Sequence, residues 1–140
     1  MRCLLRVILP LLLGLSLGCG GNSSPYTFAP VKGRVLLNNL PLAKATVRFQ
    51  PDNSAAKSPP PPDSYGETDD DGYFTLKPVG KGYEGLDGAV VGKHYIQITR
   101  IDRDSGAGQT IPARYNRNSK EERTVPPEGL KEEIFRLNSP

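Results

Sequence analysis

The sequence predicts an all-β sandwich behind a short apolar leader, and three observations carry that expectation. Apolar and polar residues alternate at period two in segment after segment, the pattern of strands that bury one face. The segments recur about every ten residues, separated by Gly, Pro, Asn and Asp, which is the spacing of short strands joined by turns. Fifteen Gly and fourteen Pro among 140 residues disfavour long helices, because both residues interrupt the helical ladder. A one-sided strand must cover its apolar face, and without amphipathic helices a second sheet does so.

The chain opens with Arg2 and Arg6, then the apolar run Val7 to Leu13, and closes this section on Leu15-Ser16-Leu17-Gly18-Cys19 with no acid. That is the three-part layout of a secretory signal. Pro10 and Gly14 interrupt the run, which falls short of the roughly 17 to 25 apolar residues a spanning helix needs. Residues 1–18 are therefore expected to be a leader. Residues 19–30, rich in Gly, Ser, Asn and Pro, form an extended tether, and residues 31–140 form one domain of ordinary size.

Within that domain Val31, Gly33, Val35 and Leu37 share one face of the first strand, and Asn38-Asn39 with Pro41 supplies a turn. Ala45, Val47 and Phe49 line the next strand, with Lys44, Thr46, Arg48 and Gln50 opposite. A third strand runs from Tyr73 to Lys77, Phe74 and Leu76 inward; a fourth runs from His94 to Ile101, Ile96 and Ile98 inward. Weaker patterns mark Arg123–Val125 and Glu133–Leu137. Pro51 to Asp63, with four consecutive prolines, and Lys77 to Gly92, with five glycines, break the rhythm and are expected as loops.

Three kinds of chemistry are disfavoured by composition. Two of the eighteen basic residues lie in the leader, leaving sixteen against fifteen acids. Those charges are interspersed, so no basic stripe for nucleic acid forms. Cys3 leaves with the leader and Cys19 is the only other cysteine, which removes disulfides, thiolate metal sites and cysteine nucleophiles from the domain. His94 is the single histidine, too few for a histidine zinc site, and a lone histidine makes a Ser-His-Asp triad hard to build around any candidate nucleophile. At the head of a strand it reads as a structural residue. No cofactor is expected.

Ser16-Leu17-Gly18-Cys19 resembles a bacterial lipobox, although Ser and Leu stand where Leu and a small residue are commoner. The resemblance implies cleavage after Gly18 and a lipid on Cys19. Its partner would be the membrane, since two or more acyl chains anchor stably. An ordinary signal peptide cut near Gly20 or Gly21 is the alternative. Gly20 rather than Asp after the cysteine resembles outer-membrane sorting signals, so the expected location is the outer membrane or periplasmic face of a cell envelope.

Val31-Lys-Gly-Arg-Val-Leu-Leu, Pro41-Leu-Ala-Lys-Ala-Thr-Val-Arg-Phe, Gly66-Glu-Thr-Asp-Asp-Asp-Gly-Tyr-Phe-Thr-Leu and Gly88-Ala-Val-Val-Gly-Lys-His-Tyr-Ile-Gln-Ile form an ordered series. It resembles the carboxypeptidase-regulatory-like, or transthyretin-like, domain, and most of all the small bacterial lipoproteins that add a Pro-Ala-Arg-Tyr-Asn element, here Pro112 to Asn116. The resemblance covers Val31 to Leu137. It implies an Ig-like, antiparallel Greek-key sandwich of about six or seven strands. The proline insertion after Phe49 and the Asn38-Asn39 turn depart from the usual pattern. Hydroxyisourate hydrolases of this fold rely on several histidines and a Tyr-Arg-Gly-Ser terminus, whereas this chain ends Arg136-Leu137-Asn138-Ser139-Pro140. No catalytic residue is expected.

Two minor binding features remain. Asp69-Asp70-Asp71-Gly72 offers oxygens at alternate positions, Asp69 and Asp71, as in a calcium loop, yet it lacks the later bidentate Glu, and the turn reading wins because Asp and Gly are good turn residues between strands. Tyr115, between Arg114 and Asn116, is a candidate to stack on a sugar, with Tyr65, Tyr73, Tyr83 and Tyr95 as further exposed-aromatic candidates, although such tyrosines more often pack their rings and reach a backbone partner. The expectation is a non-enzymatic, lipid-anchored envelope module whose partner is an envelope protein or a polysaccharide, with a carbohydrate-binding module or a calcium-stabilised adhesion-type domain as alternatives.

Overall fold

The computed structural model describes residues 24–102, 108–109 and 111–139. The expected leader, with Gly18, and Cys19 and the first residues of the expected tether lie outside them. The described strands are β1 (Phe28–Ala29), β2 (Val31–Leu37), β3 (Leu40–Pro41), β4 (Thr46–Pro51), β5 (Ser64–Glu67), β6 (Tyr73–Thr75) and β7 (Lys77–Pro78). They continue with β8 (Ala89–Val90), β9 (Gly92–Thr99), β10 (Ile101–Asp102), β11 (Gly108–Gln109), β12 (Glu122–Val125) and β13 (Leu130–Leu137), with one 3-10 turn at Ala113–Tyr115. No helix among the described residues is long and apolar enough to cross a membrane.

Two sheets face each other, so the all-β sandwich stands. One has the order β12-β9-β4-β5-β7; in the other, β13 lies on one side of β2 while β3 and β6 share its opposite side. Register explains the core. Val47 sits opposite Ile98 and Phe49 opposite Ile96, which stacks their apolar faces. On the other sheet Phe74 pairs with Gly33 and Phe135 with Val35. The two inner faces meet where the Phe49 and Phe135 rings lie edge to face at 6.2 Å, with Phe74 at 6.1 Å from Phe135. Both separations are in the favourable range for aromatic pairs.

The β2–β3 hairpin shows how Asn38-Asn39 turns the chain. Both residues have positive φ, 51° and 64°, as a two-residue hairpin turn of matching twist demands. Asparagine tolerates that conformation better than most side chains.

Four features differ from the sequence expectation. The packed fold begins at Phe28 rather than Val31, because Phe28 and Ala29 pair with Val90 and Ala89 and Ala29 is buried. The Tyr73–Lys77 segment divides between the sheets, β6 pairing with β2 and β7 with β5. Leu76, fully buried at the crossing, donates its N–H to the Val31 carbonyl at 2.9 Å. β5 was not expected, since its inward positions are Ser64 and Gly66, which leave no apolar alternation. Gly66 is required there: a Cβ would stand 2.6 Å from the Thr75 carbonyl oxygen. Finally, β13 runs parallel to β2, against the all-antiparallel expectation, because the chain crosses from one sheet to the other between β12 and β13.

An ion pair closes the edge between those last two strands. Arg123 on β12 donates from Nε to Glu133 on β13 at 2.5 Å and from Nη1 to Glu121 at 3.2 Å. Its guanidinium lies 5.1 Å from the Phe135 ring centre, shielding the core from solvent.

Candidate functional site

Asp69 and Asp71 lie in the turn between β5 and β6. The Asp69 carboxylate accepts the Asp71 N–H at 3.0 Å and the Tyr73 N–H at 2.8 Å. This oxygen is thereby committed to the turn, as an Asx cap. Gly72 has φ +81°, and a Cβ there would meet the Val35 carbonyl at 2.5 Å, so only glycine serves. No group of three or more His, Cys, Asp or Glu side chains able to hold a metal forms among the described residues.

Tyr115 sits in the 3-10 turn, half-buried against the core. Its phenol oxygen accepts the Asn138 N–H at 3.0 Å, and the Arg114 guanidinium lies 4.8 Å from its ring centre. The Asn138 amide, with Arg114, holds the phenol below the usual tyrosine range. Arg114 also donates to the Asn138 carbonyl. Tyr115 thus ties the C-terminal segment to the sandwich. With Ile98, Phe135 and Leu137 it walls a pocket of about 270 Å³ between the sheet edges. It does not form a platform with the other tyrosines. Tyr65 and Tyr95 lie on the outer face of the five-stranded sheet, Tyr73 on the outer face of the other and Tyr83 in a loop.

The arrangement most suited to holding a ligand is a groove of about 800 Å³ on the outer face of β2, β6 and β13. Tyr73 and Ile134 expose 53% and 47% of their surface there. Alternation places them on this face: Tyr73 is opposite Arg34, and Arg34 is opposite Ile134 on its other side. Arg34 stacks 4.8 Å from the Tyr73 ring centre and donates Nε–H to the Asp71 carbonyl at 2.8 Å, so the acidic turn fixes one wall. Lys32, Glu67 and Asp69 also line the groove. The groove thus has an apolar floor with both charge signs around it.

Sequence reasoning named Tyr73 as an exposed aromatic but not Arg34 or Ile134. A signal for Ile134 was present: Ile134-Phe135 places two apolar residues in succession, and on a strand one of any adjacent pair faces outward.

His94 is almost wholly buried, 1% exposed, and packs 5.6 Å from the Phe49 ring. Its Nδ1 is 2.9 Å from the Gly92 carbonyl, which can only accept, so Nδ1 carries the proton and Nε2 is bare. Ser64 Oγ and His94 Nε2 are buried without a hydrogen-bond partner, but β4 separates their strands, so they form no dyad. Burial lowers the His94 pKa from the ordinary 6.5, against the opposing pull of the Gly92 carbonyl and Asp63. The unfolded chain therefore takes up a proton first on acidification. Stability contributed by neutral His94 is full above the ordinary histidine value and falls as pH drops through it toward the lower folded-state value. Denaturation midpoints measured between about pH 7 and about pH 5 should decline with acid, and His94→Phe should flatten that slope.

The described residues thus form a β-sandwich with a mixed-charge groove on the outer face of its smaller sheet. Comparison with protein families, curated proteins and solved structures finds no match to this chain.

Proposed function

We propose that this chain is a non-enzymatic, lipid-anchored cell-envelope protein whose β-sandwich presents an interaction surface to an envelope protein or a polysaccharide. The observation carrying the reading is the leader that closes on Leu15-Ser16-Leu17-Gly18-Cys19 ahead of a folded unit containing no other cysteine. The series of strand motifs that resembles the transthyretin-like domain agrees with it, as a pattern that specifies fold and not activity. The outer groove with Tyr73, Arg34 and Ile134 is the surface offered. Its exposed aromatic and guanidinium are the side chains that dominate binding energy at interfaces.

The test is expression of the full-length protein and Cys19→Ser in a bacterium with intact lipoprotein processing, followed by mass spectrometry and membrane fractionation. The expected product is residues 19–140 carrying acyl chains in the membrane fraction, lost on substitution. A soluble product cut at Gly20 or Gly21, identical in both proteins, overturns the anchor.

A further inference from the structure

The chain enters the sandwich at the end that carries its two long loops. β4 closes and β5 opens there, with residues 52–63 between them, and β7 closes and β8 opens there, with residues 79–88 between. The turn from β12 into β13 is at this end too, since Val125 pairs with Gly92 and Leu130 with Val31. Hydrogen bonds join the entry to these loops. The Tyr26 hydroxyl donates to the Pro59 carbonyl, Val91 N–H to Thr27 at 2.9 Å, and Val79 N–H to Asp63 at 3.0 Å. The rings of Phe28 and Tyr83 lie 5.5 Å apart, tilted by 59°. Val79 and Leu86, on the second loop, expose 47% and 38% of their surface.

Cys19 stands nine positions before Phe28. A chain of that length reaches at most about 30 Å even when fully extended. A lipid on Cys19 would therefore hold this end against the bilayer.

We infer that the lipid surface is the docking partner of this end, with Tyr26, Phe28, Tyr83, Val79 and Leu86 resting at the headgroup level. The inference rests on the Cys19 anchor proposed above. Tyrosine suits such a boundary because its ring is apolar and its hydroxyl polar. The contact area is modest, but the tether raises the local concentration of bilayer to roughly millimolar, so weak apolar contacts suffice. Charge adds little: Lys57, Lys77, Lys81 and Lys93 at this end are offset by Asp52, Asp63, Glu84, Asp87 and Glu128, and Lys77 is 3.8 Å from Asp87. Docking is accordingly insensitive to anionic lipid. It leaves the β2–β3 hairpin and the Asp69–Gly72 turn directed away from the membrane, with the groove open to the aqueous side.

The sequence contains no Trp, so a single introduced indole reports its own surroundings. The mature protein carrying Tyr83→Trp or Leu86→Trp, purified after processing in bacteria, is reconstituted into phosphatidylcholine vesicles whose acyl chains are brominated. Each probe is expected to shift to the blue and to be quenched, as an aromatic ring at the headgroup level is, while Tyr73→Trp on the groove face is unquenched; replacing part of the lipid by phosphatidylglycerol leaves the result unchanged. Flotation of the vesicles scores anchoring separately. Protein that floats with no quenching of either loop probe overturns the docking and leaves the anchor standing. Protein that fails to float overturns the anchor and this inference with it.

Discussion

Phe49→Ala is expected to remove about 3 to 5 kcal/mol of stability, the cost of emptying an aromatic position that cannot collapse. Phe49 is fully buried on the central strand of the larger sheet. Ile96 lies opposite it on one side and Ser64 on the other, and Phe135 meets it across the sandwich at 6.2 Å. Hydrogen-bonded strands on both flanks prevent the backbone from moving inward to close the void. A domain of this size is stable by roughly 5 to 15 kcal/mol in total, so the variant should lose a large share. Its melting temperature should fall by about 15 °C or more, read by far-ultraviolet circular dichroism. Phe49→Leu keeps most of the volume and should lose much less. Equal melting of Phe49→Ala and the parent protein would show that this ring does not hold the two sheets together.

Gly33→Ala is expected to be nearly as damaging although it adds only one methyl group. A Cβ at position 33 would stand 2.3 Å from the Glu133 carbonyl oxygen and 2.8 Å from the Phe74 ring, well inside contact distance. Relief by rotating Phe74 is blocked by its packing on Phe135, and relief by shifting Glu133 pulls β13 away from β2 in their parallel pairing. Overpacking of this kind costs about 1 to 3 kcal/mol, occasionally more, and the upper end applies because the closer obstacle is backbone. Chemical denaturation should show a lower midpoint with an unchanged slope, and amide exchange should accelerate along β13 before β4. An Ala variant as stable as the parent would mean that β13 is not seated on β2 as described.

Much of this fold is legible in local pattern, and the parts that are not share a cause. β2, β4 and β9 each show period-two alternation because one face of each is buried and the other wet; the same alternation names Val35, Val47, Phe49, Ile96 and Ile98 as core. β5 escapes because its buried face needs smallness: Gly66 is there for the approach of Thr75, and a glycine carries no hydrophobic signal. β1 and β8 escape because two residues are too few for any period. The candidate groove was half visible. Tyr73 could be named as an outward aromatic, but its meeting with Arg34 and Ile134 depends on strand register between segments about a hundred residues apart in the case of β2 and β13.

Residue order alone decides the all-β class, the alternating core and the Asn38-Asn39 turn, because each depends on neighbours only a few positions away. Tertiary structure decides which strand lies beside which. It sets the parallel seat of β13 on β2, the passage of the Tyr73–Lys77 segment between sheets, the complete burial of His94 and the use of the Asp69 carboxylate to close a turn. These outcomes come from packing two twisted sheets face to face, where the space left by one chain segment dictates the size and direction of another far along the sequence.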